Sequence, residues 1–476
     1  MSTSASSLSS LLSSAASSSG IDISSILEAA MGASSPGIDV TAAVNSAVTA
    51  AEAPEQAWET QESTLQSQIN ALDQIQTDAT NLDNDIQSFN SIVGPLSAMT
   101  VNSSDSNVVT ASAASGSSVG NHTVVVNNLA TTASWTSATY SSSSTAMPAG
   151  SFTITSGSGT ATTITTDGTE TLSDVANTIN SDDLGVTASV ITDASGSRLA
   201  IVANSSGSAA NFTITSSGST NYGFTQAATG SNASLTVDGI SISSATNSVT
   251  GVIPGVTLNL LSADPGVDVS LGVAPDTSQV QSALQQFVTD YNQLVSDLSA
   301  QFTFSSSTGS EGVLASDSTV RNLQNEVLGA LDYTYTPESG STTVPTLMSL
   351  GISVDDNGQL SLDTSTLDSA LQNNFSDVQS FFQGSALNGF ANSLDQQLTS
   401  FISPADGAFT VDLQSMNSQI TDLQNSISDF QTNYIAPLQT QLQADYSKAE
   451  IALQELPNQM KEIDQELGLN NSSSGG

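Results

Sequence analysis

The stretch that decides the fold runs from residue 65 to residue 93 and reads LQSQINALDQIQTDATNLDNDIQSFNSIV. Apolar side chains recur in it at steps of three and four residues, and Gln, Asn, Asp and Thr fill most positions between them. This spacing is typical of a coiled-coil seam or a long bundle helix, which residues 94 and 95 (GP) then end. The seam residues are Leu65, Ile69, Leu72, Ile75, Ala79, Leu82, Ile86, Phe89 and Val93.

A second seam of the same kind lies near the other end of the sequence. Neither apolar stripe can be hidden from water alone, so we expect the two to pack antiparallel and to bring both ends of the chain together. Two independent amphipathic helices on a globular core are the alternative. Pro437 and Pro457 follow the second stripe and predict a kink or a break in its helix. The stripe consists of Leu413, Met416, Ile420, Leu423, Ile427, Phe430 and Tyr434, and after Pro437 the series continues as Leu442, Ala449, Leu453, Leu456, Met460, Ile463 and Leu467.

A shorter helix is predicted ahead of the first seam. Residues 20–23 (GIDI) are echoed at 37–40 (GIDV), and the Asp in each is a candidate helix cap, although a chance repeat of a common cap sequence gives the same pattern. Residues 1–35 are rich in Ser and Ala and are predicted to be a disordered tail. Pro54 separates the short helix from the long one. The candidate assembly residues of this terminal region are Ile38, Val40, Val44 and Val48.

Between the helical ends the apolar period changes from 3.6 to 2, which indicates β-strands. One helix interrupts them, with Leu172, Val175 and Ile179 on one face and Thr171 as its cap. Residues 351–362 (GISVDDNGQLSL) predict a hairpin with a type I′ turn at its Asn-Gly pair. The predicted strands are Val108–Ala111, His122–Val126, Ser151–Thr155, Thr162–Thr166, Val186–Thr192, Arg198–Ala203, Asn211–Thr215, Ser234–Val237, Val256–Leu261 and Val267–Leu271.

The charge balance excludes several functions. The chain has 45 acidic and four basic side chains, a formal net charge of −41, and its charged fraction is only 10%. Four cations cannot form a nucleic-acid binding stripe, an anionic membrane repels such a chain, and salt-bridge networks cannot organise its surface. No apolar run is long enough to cross a bilayer, and the first residues lack the positive region of a secretory signal. The alternatives are a cytoplasmic protein and one exported by a route that ignores such signals, and the Cys-free, Lys-poor composition rich in Ser and Thr favours export.

Candidate chemistry is scarce. The sequence has no Cys and one His, His122, which we expect at a strand edge rather than in a catalytic group. The acidic hairpin at 351–362 lacks the ligand spacing of a calcium loop. Trp58 lies in the helical stretch and is expected to pack. We therefore predict no catalytic residues, no cofactor, no metal site and no enzymatic activity.

Several blocks in order resemble the flagellar filament capping protein family (hook-associated protein 2, or FliD, family). The block at 172–180 (LSDVANTIN), with 185–190 and 198–202, looks like the insertion motif shared by flagellins and hook-associated proteins. The resemblance covers about residues 36 to 465, and any single block would be weak on its own. The remaining blocks are 37–54, the Gln-rich heptads from Leu65, 253–258 (IPGVTL), 287–292 (FVTDYN), 317–321 (DSTVR) and 350–352 (LGI).

This resemblance implies a structural role. Members of the family form a ring, usually a pentamer, at the distal tip of the bacterial flagellum, where they retain exported flagellin and promote its polymerisation. The implied partners are further copies of the chain (four to six), flagellin, hook–filament junction proteins and an export chaperone, with secretion through the flagellar type III apparatus. The alternatives are another axial flagellar protein, either a junction protein or a flagellin, and a secreted adhesin.

The expected fold is α+β, with long terminal helices forming an antiparallel coiled-coil or bundle stalk that carries inserted β-rich domains. A disordered export tail is assigned to 1–35. The other expected regions are a terminal assembly region at 36–61 and 446–476, a helical leg domain at 62–107 and 273–445, a β-rich domain at 108–135 and 232–272, and an inserted β-rich domain at 136–231.

Overall fold

A computed structural model describes residues 39–157, 159–304, 309–338, 340–385 and 388–466. The described residues divide into two compact units, one drawn from 39–83, 290–331 and 396–466 and the other from 84–289 and 332–395. Within the described residues, no helix combines the length and the apolar character needed to cross a membrane.

Helices occupy both ends of the described chain and β-strands occupy its middle, which confirms the α+β class with inserted β domains. The helices are α1 (Val40–Ala51), α2 (Ala53–Asn90), α3 (Leu172–Ser181), α4 (Thr277–Phe302), α5 (Ser318–Ala330), α6 (Thr364–Asn373), α7 (Phe375–Gln383), α8 (Phe390–Ile402), α9 (Ala408–Phe430) and α10 (Ala436–Glu466), with short 3₁₀ turns at Pro95–Ser97, Ser208–Ala210 and Leu347–Leu350.

Every predicted strand is present with shifted ends, and five further strands are short and rich in Ser and Thr. The strands are β1 (Met99–Ser103), β2 (Val109–Ala113), β3 (Gly120–Asn128), β4 (Ser134–Thr136), β5 (Gly150–Thr155), β6 (Ala161–Thr166), β7 (Val186–Asp193), β8 (Gly196–Ala203), β9 (Thr213–Ser217), β10 (Thr225–Ala228), β11 (Ala233–Val237), β12 (Ile240–Ser244), β13 (Ser248–Ile253), β14 (Val256–Leu260), β15 (Val269–Pro275), β16 (Ile352–Val354) and β17 (Leu360–Leu362).

The first β domain has a five-stranded antiparallel sheet in the order β1-β15-β3-β11-β12 and a three-stranded sheet in the order β13-β14-β2. Alternate residues of these strands point into one shared core, as the period of two predicts. Val124, Leu235, Leu258 and Leu271 in this core have no solvent exposure.

The inserted β domain has a four-stranded sheet, β10-β4-β8-β7, a three-stranded sheet, β6-β5-β9, and helix α3. Thr171 caps α3 as predicted, and Asp174 returns a hydrogen bond to the Thr171 backbone N–H to complete a capping box. Asn180, near the end of α3, accepts from the Ala188 N–H at 2.7 Å and donates to the Ala188 carbonyl at 2.9 Å, so its amide covers the edge strand β7.

The two β domains join near Thr131 and Ser231, which exchange backbone hydrogen bonds. Strand β4 (Ser134–Thr136) pairs with β8 and therefore belongs to the inserted domain, although we expected that domain to start at residue 136. Asn247 supports the junction, because its side-chain amide pairs with the N–H of Ala130 at 2.7 Å and with the carbonyl of Ala130 at 3.0 Å.

The hairpin at β16 and β17 is confirmed, but its predicted type I′ turn is wrong. Gly358 has a φ of +79°, whereas Asn357 keeps a negative φ, and a type I′ turn needs positive φ at both central residues. The loop is instead organised by Asp355, whose carboxylate accepts hydrogen bonds from the backbone N–H groups of Gln359 and Asn357. The Gln359 N–H contributes most to lowering the pKa of Asp355.

The expected break at the prolines does not occur. A π-helical turn (Gln431–Ile435) links α9 to α10, and the Ala436 N–H bonds to the Gln431 carbonyl five residues back. Pro437 follows directly, so the widened turn accommodates a residue that lacks an N–H and whose ring crowds the preceding turn. Pro457 lies inside α10 without ending it.

A buried carboxyl group on α2, Asp78, lies beside the half-buried Asp297 of α4. Asp78 is 5% exposed, lies within hydrogen-bonding reach of Asp297, and accepts from Gln74 Nε2 at 3.0 Å. No described donor reaches Asp78 Oδ2, so this carboxyl group is left short of hydrogen-bond donors when it is ionised. Burial, followed by the contact with Asp297 and the charge of Asp290, raises the pKa of Asp78 to about 6.

We predict that Asp78→Asn stabilises the protein at neutral pH. The folded state binds a proton on Asp78 more tightly than the unfolded state, whose Asp has a pKa of 3.8, so stability falls as the pH rises from about 4 to about 6. At about pH 7.5 the variant should gain about 2 to 3 kcal/mol in free energy of unfolding, and the gain should vanish near pH 4. Denaturant unfolding followed by circular dichroism measures both values.

Asp73→Asn is the matched control, because Asp73 lies exposed on the same helix and its replacement changes the net charge equally. An equal gain from both variants would mean that general charge repulsion, rather than the burial of Asp78, sets the pH dependence.

Candidate helical assembly site

The two predicted seams meet over part of their length. Leu65 and Ile69 of α2 and Ile420 of α9 are buried in one cluster, and Leu413, Met416 and Leu423 pack against it while half-buried. The described structure thus brings together the start of the first seam and most of the second.

The rest of the first seam has other partners. Leu72, Ile75, Leu82 and Ile86 are buried, and Asp78 between them faces α4. Phe89 stacks on Phe382 of α7, with ring centroids 4.5 Å apart. The expectation that 65–89 packs along its whole length against 413–430 is therefore wrong. Other helices cover the second half of the stripe on α2.

Polar contacts fix the register of α2 against α9. Gln424 Nε2 donates to Glu62 Oε1 at 2.6 Å, and Gln431 donates to the buried Glu55. Glu55 lies seven residues before Glu62, and Gln431 lies seven residues after Gln424. Moving seven residues back along α2 therefore corresponds to moving seven residues forward from Gln424 to the π-helical turn after α9. The two segments are antiparallel.

Aromatic side chains close this contact at the start of α2. Trp58 meets Phe430 edge to face, with ring centroids 5.5 Å apart, and Phe430 stacks on Tyr434 at 5.1 Å. Phe430, at the end of the predicted second stripe, thus lies opposite Trp58 rather than opposite any of residues 65–89. Ile427 is half-buried one turn before it.

The terminal helix α1 packs on the helix that follows this contact. Asp39 caps it by accepting from the Ala42 N–H at 3.0 Å. Val44 and Val48 are buried with Ile435 and Leu442, while Val40 is half-buried at the edge of the same cluster. Ile38, the fourth expected assembly residue, lies outside the described residues.

Ion pairs are absent from the contacts that join these helices within the described residues. The three ion pairs described are His122–Asp238, Arg198–Asp193 and Lys448–Asp445, and none of them joins two helices. Amide donors on Gln take the place of Lys and Arg, as the shortage of cations requires. The sequence analysis does not identify four further site residues, namely Glu55, Glu62, Gln424 and Gln431. Their only signal in the sequence is that the two Glu and the two Gln are each seven residues apart.

The single His of the chain contacts a carboxylate in the first β domain. His122 Nδ1 lies 2.7 Å from Asp238 Oδ2 at the start of β3, and this contact is the main cause of the lowered pKa of Asp238. Across the described ranges, no three His, Asp or Glu side chains are grouped closely enough to hold a metal ion. What the helices offer is an apolar surface with hydrogen bonds donated by uncharged Gln amides to Glu carboxylates.

We predict that Ile69→Asp disrupts the contact between α2 and α9. A carboxylate at this buried position has no cation within the seam to pair with, so the free energy of unfolding should fall by about 3 kcal/mol or more. Ser67→Asp adds the same charge to an exposed position of the same helix and should change it by less than about 0.5 kcal/mol. Thermal unfolding followed at 222 nm tests this, and equal losses would contradict the burial of Ile69.

Comparison with known proteins matches this chain to one family along most of its length. The family description "Flagellar hook-associated protein 2 N-terminus" matches residues 36–133, and "Flagellar hook-associated protein 2 C-terminus" matches residues 230–462. "Flagellin hook IN motif" matches residues 151–205, which include α3 and strands β7 and β8.

Similar individual proteins carry the same name. The B-type flagellar hook-associated protein 2 of Pseudomonas aeruginosa is 28% identical over 390 residues, covering 75% of this chain and 77% of that protein. The flagellar hook-associated protein 2 of Helicobacter pylori (strain J99) is 31% identical over 156 residues, or 33% of this chain, and the match spans only 22% of that relative's length.

The fold has a solved counterpart. The crystal structure of the D1-D2-D3 domains of the flagellar cap protein FliD from Escherichia coli matches with a TM-score of 0.57 and 25% sequence identity, covering 73% of this chain and 99% of that one. With both terminal family descriptions matched, this chain belongs to the flagellar hook-associated protein 2 family.

Proposed function

We propose that this protein caps the distal tip of the bacterial flagellar filament, where it prevents the loss of exported flagellin and promotes flagellin polymerisation. Membership of the hook-associated protein 2 family, matched at both ends of the chain, is the observation that carries this proposal. The similar Escherichia coli structure is that of a flagellar cap protein. The role is one of assembly and needs no catalytic group.

The antiparallel helical contact suits such a role. A cap must hold on to its neighbours and yet yield to each incoming subunit, so its contacts should be specific without being permanent. The stripe on α9 has one side covered by α2 and remains half-exposed at Leu413, Met416 and Leu423. Contacts made by such a surface and by a few hydrogen bonds from uncharged amides are adhesive but moderate in strength.

The proposed partners are further copies of the chain in a ring, most simply a pentamer within a range of four to six, together with flagellin. Hook–filament junction proteins and an export chaperone complete the set, since export through the flagellar type III apparatus precedes assembly. The regions proposed to make the terminal contacts are 36–61 and 446–476.

We predict closed rings of four to six copies when the purified protein is examined by native mass spectrometry and negative-stain imaging. A net charge of −41 per chain makes the copies repel one another, so the ring fraction should rise when salt is increased from about 50 to about 500 mM. Open filaments would instead indicate a flagellin, and a ring fraction that ignores salt would contradict the electrostatic part of the proposal.

We predict that removing residues 1–40 leaves the β domains folded but abolishes attachment to filament ends. The deleted part ends at Val40, so it takes from α1 only its cap Asp39 and its first residue, and it lies far in sequence from both β cores. Attachment can be counted by immunogold labelling of purified filaments, with unchanged far-ultraviolet circular dichroism of the β-rich part as the control. Undiminished attachment would refute a role for the N-terminal region.

A further inference from the structure

One of the four cations of the chain is held in place by neutral groups alone. The guanidinium carbon of Arg321, on α5, lies 4.4 Å from the centroid of the Phe302 ring at the end of α4. Its Nη2 donates to the Ala315 carbonyl at 3.0 Å. Arg198 and Lys448 each pair with an aspartate, whereas no ion pair joins Arg321 to any carboxylate of the described residues.

The carboxylate that could pair with Arg321 along its own helix is already engaged. Asp317 lies four residues before Arg321, which is a spacing at which opposite charges pair on a helix. Its carboxylate instead caps α5, by accepting from the N–H groups of Thr319 at 2.8 Å and Val320 at 3.1 Å. Arg321 is exposed, so its positive charge is presented at the surface.

The loop that receives Arg321 is fixed against the end of α4. The Gly312 N–H donates to the Gln301 carbonyl at 3.1 Å, and the Leu314 N–H donates to Gln301 Oε1 at 3.3 Å. A Cβ on residue 312 would lie 2.6 Å from the Gln301 Cα, so this close approach requires glycine. Leu314 is buried and anchors the loop. Because the guanidinium rests on fixed elements, it loses less freedom when it binds a partner.

The contacts of Arg321 leave most of its hydrogen-bonding capacity for a further partner. A guanidinium has five N–H donors, and the described contacts use only Nη2. Paired N–H groups on one edge match the two oxygens of a carboxylate. Val313 is 44% exposed and Phe304 62% exposed, and each lies two residues along the chain from a residue that contacts Arg321. Arg and aromatic side chains are enriched at protein interfaces.

We infer that Arg321 is the anchor for a carboxylate on a second copy of this chain. Each copy carries 45 acidic side chains against four basic ones, so a neighbouring copy offers carboxylates in excess. The acidic surface differs from the Arg321 surface, so the contact is heterologous, and heterologous contacts can close into rings. One such pair at each contact offsets local repulsion and fixes which surfaces meet. This inference rests on the proposed ring and names a residue that specifies its contact.

Charge reversal tests the anchor in the full-length protein, at a salt concentration at which the unmodified protein forms rings. R321E should lower the association constant between copies by at least about tenfold in native mass spectrometry. R198E is the matched control, because it changes the net charge equally and Arg198 already pairs with Asp193 of its own chain. It should change the association constant by less than about twofold. Equal losses from the two variants would overturn the inference.

Cross-linking identifies the partner group without removing the positive charge. R321K supplies an amine, which a carbodiimide joins to a touching carboxylate as an amide while the reagent takes up the water released. In mixed isotopically labelled and unlabelled R321K protein, mass spectrometry should find this lysine joined to a carboxylate of the other label. Links within one chain only, or rings without a link at this position, would overturn the inference. Absence of rings from the unmodified protein would instead overturn the proposed ring itself.

Discussion

The structure depends on how helices can be matched when the chain has 45 carboxylates and four cations. Apolar contact alone brings α2 and α9 together but leaves their register free to slip by a heptad. Gln424 on Glu62 and Gln431 on Glu55 favour one register, because a slip by one heptad would keep only one of these two amide–carboxylate hydrogen bonds. Neutral donors therefore perform the specifying role that ion pairs have in most coiled coils.

The β domains also use uncharged side-chain amides at positions where charged residues are common in other proteins. Asn180 pairs with both backbone groups of Ala188, and Asn247 pairs with both backbone groups of Ala130. Each side-chain amide thus completes a strand edge or a domain junction where other proteins place a charged residue or a further strand. Such contacts are insensitive to salt, so the fold of the β domains is separated from the charge repulsion that acts between copies.

The spacing of apolar residues and the residues suited to capping helices predict much of this fold. They do not predict which residues distant in sequence make contact. Leu65, Ile69 and Ile420 follow from the heptad, and Thr171 follows from cap chemistry. The sequence does not show that Phe89 stacks on Phe382, because an apolar residue in a seam predicts burial but does not identify the residue that buries it. Strands such as β12 escaped prediction because Ser and Thr dominate them. The type I′ turn predicted at Asn357–Gly358 is wrong because the Asp355 carboxylate organises a wider loop.

The buried carboxyl group of Asp78 shows why polar positions of a heptad cannot be assigned to solvent from one helix alone. Asp78 precedes Ala79 of the seam and would face water in a two-helix coil, but α4 packs over it and brings Asp297 alongside. Burial and the neighbouring Asp297 raise the pKa of Asp78, so mildly acidic surroundings favour this contact. Acid also reduces the net charge that drives copies apart. A decrease in pH therefore stabilises both the contact between α2 and α4 and the proposed ring. Both effects arise because the chain has few cations to offset its carboxylates.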